Sequence, residues 1–144
     1  MAEIKIFGTA PSGECRLRSG AYIIPVSNGR CAVIRTVKGY FLLGGGIDEG
    51  ETDLECIRRE CMEEVGHSAS PDLFLGTGLT YFSEKKGTRP DGLEQRYYLG
   101  ALSACAQSPS ESGNELVWLS PDFAEKNMHH ETQRWAVSLA ARYI

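Results

Sequence analysis

Three carboxylates crowd one short stretch of this sequence. Glu60, Glu63 and Glu64 stand at i, i+3 and i+4, a spacing that makes side chains neighbours on a helix. Like charges so placed repel by about 0.2–0.5 kcal/mol. The C-terminal half of a helix is also the wrong end for them, since the macrodipole is already negative there. A hard divalent cation, Mg²⁺ or Mn²⁺, removes the conflict because it prefers oxygen ligands and neutralises the cluster. A solvated acidic helix face is the plain alternative for a generic E-x-x-E-E run. The glycine-rich approach Gly44-Gly45-Gly46 and the adjoining Arg59-Glu60 pair weigh against it here.

The elements that must position these groups are legible nearby. Tyr40-Phe41-Leu42-Leu43 reads as a short apolar strand delivering the chain into the glycine loop. Thr52-Asp53-Leu54-Glu55 is an S/T-x-x-E capping box, so a helix starts at about Thr52. Gly66 suits the left-handed residue that closes it. Between those limits Leu54, Ile57, Cys61 and Val65 make one apolar stripe, with the carboxylates beside and opposite it.

From Gly45, five residues lead to Glu51 and seven more to Arg59-Glu60, with Glu63-Glu64 and Gly66 following in register. The segment resembles the signature of the Nudix hydrolases, G-x5-E-x7-R-E-U-x-E-E-x-G-U, where U is a bulky aliphatic residue. Cys61 and His67 depart from two U positions, and Leu43 stands where many members have proline. The resemblance implies an α/β fold: an α/β/α sandwich around a mixed sheet, with the signature as a loop–helix–loop. It also implies MutT-like, metal-dependent hydrolysis of a nucleoside diphosphate linked to another group. On that basis Glu60, Glu63 and Glu64 are metal ligands, Gly44 would add a backbone carbonyl, and one glutamate of the cluster would serve as base. Arg59 would orient a catalytic carboxylate, contact substrate, or pair with Glu51 to tie loop to helix. A further acidic ligand often comes from outside the signature; Glu115 is the first candidate, with Glu111 and Glu94 behind it.

A chain of 144 residues fits one domain, 1–144. Its 42% hydrophobic and 24% charged residues are ordinary for a soluble globular protein. A net charge of −4 offers no field for gripping long nucleic acid. It leaves a small anionic nucleotide open, because a bound metal reverses the local sign. No apolar run is long enough to span a bilayer, and the N-terminus lacks the blocks of a signal peptide. Five cysteines without C-x-x-C spacing read as reduced thiols, hence a cytoplasmic setting.

Strands are expected at 4–7, 21–26, 30–37, 40–43, 73–82, 95–102 and 115–119, with a hairpin signal at Ser27-Asn28-Gly29. Ser120-Pro121 reads as a helix cap, and 131–143 as a final helix with Trp135, Leu139 and Tyr143 on one face. Tyr22, Tyr40, Phe41, Tyr81, Phe82, Tyr97 and Tyr98 offer rings for stacking a base, although most should be core. Lys85, Lys86 and Arg89 could hold phosphates, and His67, His129 and His130 read as structural or surface residues. There is no P-loop and no G-x-G-x-x-G fingerprint after the strand. Cleavage of a nucleoside triphosphate to monophosphate and pyrophosphate is the leading reading. Hydrolysis of ADP-ribose or a nucleotide sugar is a second, and a catalytically silent nucleotide sensor a third.

Overall fold

The computed structural model describes residues 2–83 and 87–144. In chain order the strands and helices are β1 (Glu3–Phe7), β2 (Leu17–Ser27), β3 (Arg30–Thr36), β4 (Gly39–Phe41), β5 (Leu43–Gly46), α1 (Asp53–Val65), β6 (His67–Tyr81), β7 (Gly92–Cys105), β8 (Glu115–Leu119), α2 (Pro121–Asn127) and α3 (Glu131–Ala140). Strand β2 joins the parts. It pairs in parallel with β7 from Leu17↔Gly92 to Pro25↔Gly100, and antiparallel with β5 on its other side. Strand β6 is antiparallel to β7 and parallel to β1, so the mixed sheet runs β1-β6-β7-β2-β5. The Asn28-Gly29 turn folds the end of β2 onto β3, which β4 and β8 flank in a smaller antiparallel group.

Alternation along β2 sends neighbouring side chains to opposite faces. Ala21 and Ile23 pack with Ile57, Cys61 and Val65 of α1. Ile24 packs with Met128 and with Ala136, Val137 and Leu139 of α3. Each fully buried aliphatic contributes about 1.5–3 kcal/mol, and together they hold α1 on one face and α2–α3 on the other. This is the α/β/α layering that the signature implies. Among the described residues no helix is long and apolar enough to cross a membrane.

Three expectations need correction. The buried face of α1 is Cys56, Ile57, Cys61 and Val65, whereas Leu54 is exposed. The Cys56 thiol donates to the carbonyls of Gly45 and Gly46, so the helix is turned toward the glycine loop. Glu60 and Glu64 follow Cys56 at four-residue steps and therefore border the buried face rather than oppose it. Strand β6 begins at His67, directly after the helix cap, and passes Pro71 through register shifts that absorb the missing N–H. Helix α3 ends at Ala140. Trp135 packs edge-on to Phe7 and Tyr97 and Leu139 is buried, but Tyr143 lies past the helix end, 58% exposed.

Candidate active site

Glycine is required where β5 enters the signature. Gly44 has φ 136°, and a Cβ there would press on the Ala21 carbonyl and lie 2.6 Å from Tyr22 Cα. A Cβ on Gly45 would lie 2.6 Å from Glu60 Cδ. Side-chain-free backbone is what lets the loop and the carboxylates approach each other. The helix that carries them starts on the expected capping box, with Glu55 N–H donating to Thr52 Oγ1 at 3.2 Å and Thr52 N–H to Glu55 Oε1 at 3.0 Å. It ends at Gly66 in the left-handed region, φ 73°.

Carboxylate oxygens of Glu60, Glu63 and Glu111 all lie within 4.8 Å of one another. Glu111 arrives on the loop between β7 and β8, which is stapled to the end of α1. Its N–H donates to Glu63 O at 3.0 Å, Ser110 Oγ reaches the same carbonyl, and Asn114 Nδ2 donates to Glu64 O at 3.3 Å. These are carbonyls that a helix C-terminus leaves without intrahelical partners. Glu115 goes elsewhere: the β3–β8 register sets it opposite Arg35, and the two side chains form an ion pair. Glu94 accepts from Ser19 Oγ at 2.9 Å and Arg96 Nη1 at 3.0 Å. The acidic residue brought to the cluster from outside the signature is thus Glu111, not Glu115.

Arg59 is the hub of the loop. Its Nε and Nη2 donate to Glu51 at 2.7 and 2.9 Å, Nη1 donates to Glu60 Oε1 at 2.8 Å, and Nη2 also donates to Gly46 O at 3.0 Å. One side chain therefore ties Glu51 of the loop to Glu60 of the helix. Bonding to Arg59 holds the Glu51 carboxyl down at about 2. Glu60 is pushed up by burial, with Arg59 opposing. Glu64 is pushed up to about 9 by burial, against the N–H that Gly44 donates to its Oε1 at 3.0 Å. The Gly44 N–H thus holds Glu64 beside the cluster. Partly buried carboxylates crowded around one guanidinium are short of positive charge, and a hard, oxygen-seeking cation suits that donor set.

We expect Arg59→Ala to lower kcat about 100-fold through misplacement of Glu60, with a much smaller effect on folding. Steady-state kinetics beside thermal melting checks this. A collapse in Tm with a near-normal rate per folded molecule would make Arg59 a structural residue only.

A cavity of about 380 Å³ opens beside Gly44 and Glu64. Of the seven rings considered for stacking, Tyr22, Phe41 and Phe82 line it. Tyr97 belongs to the core, Tyr40 packs against Phe123, and Tyr98 bonds Asp53. Phe7, Gln133 and Asn114 also line the cavity, and the sequence marked none of them. His130, read as structural or surface, is in the wall as well; its ring packs on Phe41, and burial lowers its pKa. Arg89 sits over the Phe82 ring at 4.5 Å, while Lys85 and Lys86 lie outside the described residues.

The family model for the NUDIX domain matches residues 16–138. An 8-oxo-(d)GTP phosphatase of Mycolicibacterium smegmatis is 33% identical over 91 residues, which are 62% of this chain and 26% of that protein. An RNA pyrophosphohydrolase of Helicobacter pylori is 40% identical over 63 residues, 40% of this chain and 41% of that protein. The match thus spans well under half the length of either relative. A NUDIX hydrolase from Nitrosomonas europaea has the same fold, with a TM-score of 0.76 at 12% identity over 89% of this chain and 90% of that one. With a family match running from the start of β2 into α3, on a fold shared nearly end to end with a solved member, the chain belongs to the Nudix family.

Proposed function

We propose that this protein is a divalent-metal-dependent hydrolase that cleaves a phosphoric anhydride bond in a nucleoside diphosphate linked to another group. The observation that carries the reading is the convergence of Glu60, Glu63 and Glu111 next to a glycine loop and a cavity of nucleotide dimensions. A nucleoside triphosphate, cleaved to monophosphate and pyrophosphate, is the substrate we favour. The M. smegmatis relative, named for action on an oxidised guanosine nucleotide, supports it.

Glu60, Glu63 and Glu111 would hold the cation, with Glu64 and the Gly44 carbonyl as neighbouring donors. A bound cation offsets charge on the phosphate oxygens and acidifies the attacking water. The chain's own residues prepare for this. Arg59 holds Glu60 in place, Glu51 anchors Arg59 to the loop, and the Gly44 N–H fixes one oxygen of Glu64. The proton leaving water goes to the carboxylate cluster, whose members titrate together rather than singly.

Purified protein incubated with Mg²⁺ and a panel of nucleoside triphosphates, ADP-ribose and nucleotide sugars tests the proposal through its products. Pyrophosphate release from a triphosphate is the expected result. Tight binding without turnover of any compound would make the chain a silent sensor instead. Within the same assay Glu111→Gln should lower kcat/KM at least about tenfold, whereas Glu115→Gln should stay within about twofold of wild type, since its partner is a surface arginine. Equal losses would return Glu115 to the site.

A further inference from the structure

We infer that Gln133 reads the base of the bound nucleotide as a fixed hydrogen-bond donor, so that the cavity selects a 6-oxopurine over a 6-aminopurine. The inference rests on the proposed nucleotide hydrolysis and names its substrate class. Gln133 lies on α3 with 3% of its surface exposed, and its Oε1 accepts the Leu42 N–H at 2.8 Å. That bond decides which way the amide points, because a main-chain N–H can face only the oxygen of a carboxamide. Leu42 is free to make it because it falls in the gap between β4 and β5.

The Gln133 NH₂ group is left without a hydrogen-bond partner among the described residues, in a residue that lines the cavity. That donor is open to the cavity, so a ligand acceptor can take the place of the water it would otherwise bond. The amide cannot flip to become an acceptor without orphaning Leu42 N–H. Two hydroxyls of the wall are engaged, Thr80 Oγ1 with Gln95 Oε1 at 3.0 Å and Thr132 Oγ1 with the Tyr97 hydroxyl at 3.0 Å. Tyr22, Phe41 and Phe82 supply ring surface suited to a planar base. A carbonyl at purine position 6 accepts from Gln133, whereas an amino group there sets donor against donor.

Inosine and adenosine triphosphates test this pair of edges, with kcat and KM measured separately in Mg²⁺ for wild type, Gln133→Glu and Gln133→Met. Wild type should favour inosine triphosphate about tenfold, mostly in KM, as befits one hydrogen bond. Gln133→Glu keeps an oxygen for Leu42 N–H and, once ionised, turns the other position into an acceptor, so the order should reverse as pH is raised through the titration of that buried carboxyl. Gln133→Met should bring the ratio close to one. Turnover of both triphosphates by wild type without discrimination, or an unchanged ratio in the folded variants, overturns the assignment of Gln133 alone. Turnover of neither by wild type overturns the hydrolase reading with it.

Discussion

Glu60→Gln should lower kcat by about 10²–10³-fold, the loss typical when a group that stabilises charge in the transition state is removed, while the metal-free protein stays folded. Glu60 lies among like charges, with Glu63 and Glu111 both raising its proton affinity beyond the effect of burial. A neutral amide there removes repulsion and loses the charge on a bond to Arg59, so the two effects oppose each other in stability. They add in function, because the cation then meets one carboxylate fewer. The sharper readout is metal linkage. A ligand at 100 times its Kd stabilises the native state by about 2.7 kcal/mol, which is roughly 5–10 °C in Tm for a domain of this size. Wild type should show that rise with saturating Mg²⁺, and Glu60→Gln should show little of it. A Glu60→Gln protein that hydrolyses at the wild-type rate would remove the cluster from the mechanism.

The largest stability effect is expected at Gly44. With φ at 136°, the backbone is in a region that side chains rarely enter, and the atoms a Cβ would meet belong to the Ala21 and Tyr22 main chain. Main chain in the middle of a sheet cannot yield as a flexible side chain would. Gly44→Ala should therefore cost about 3 kcal/mol or more, and the shift of its N–H should loosen Glu64 as well. Gly50 provides the control. Its φ is 80°, but nothing lies within 4 Å of a Cβ there, so Gly50→Ala should cost only about 1–2 kcal/mol of backbone strain. Urea unfolding of the two variants measures the difference. Equal midpoints would mean that the close approach to β2 is not what demands glycine at 44.

What could be read from the chain alone was whatever a few adjacent residues decide among themselves. The capping box at Thr52, the closing glycine at 66 and the Asn28-Gly29 hairpin depend on contacts within about one turn, and each formed as expected. The Glu51–Arg59 tie was legible for a related reason: loop and helix are consecutive, and the bond spans eight residues. Hydrophobic spacing on α1 was read less well, because the stripe alone cannot reveal that a thiol at Cys56 seeks the glycine-loop carbonyls.

Tertiary structure decided the remainder. Glu115 and Glu111 look alike in the sequence, and Glu115 even adjoins the better strand; the β3–β8 register sends one to Arg35, and the stapled loop brings the other to Glu60 and Glu63. Gln133 reads as an ordinary polar helix residue until Leu42, 91 positions earlier, turns its N–H out of the strand toward it. Local spacing therefore determined the helix, its charges and its caps. Which distant side chains complete the site depended on strand register and on unpaired backbone groups, and neither exists until the sheet has formed.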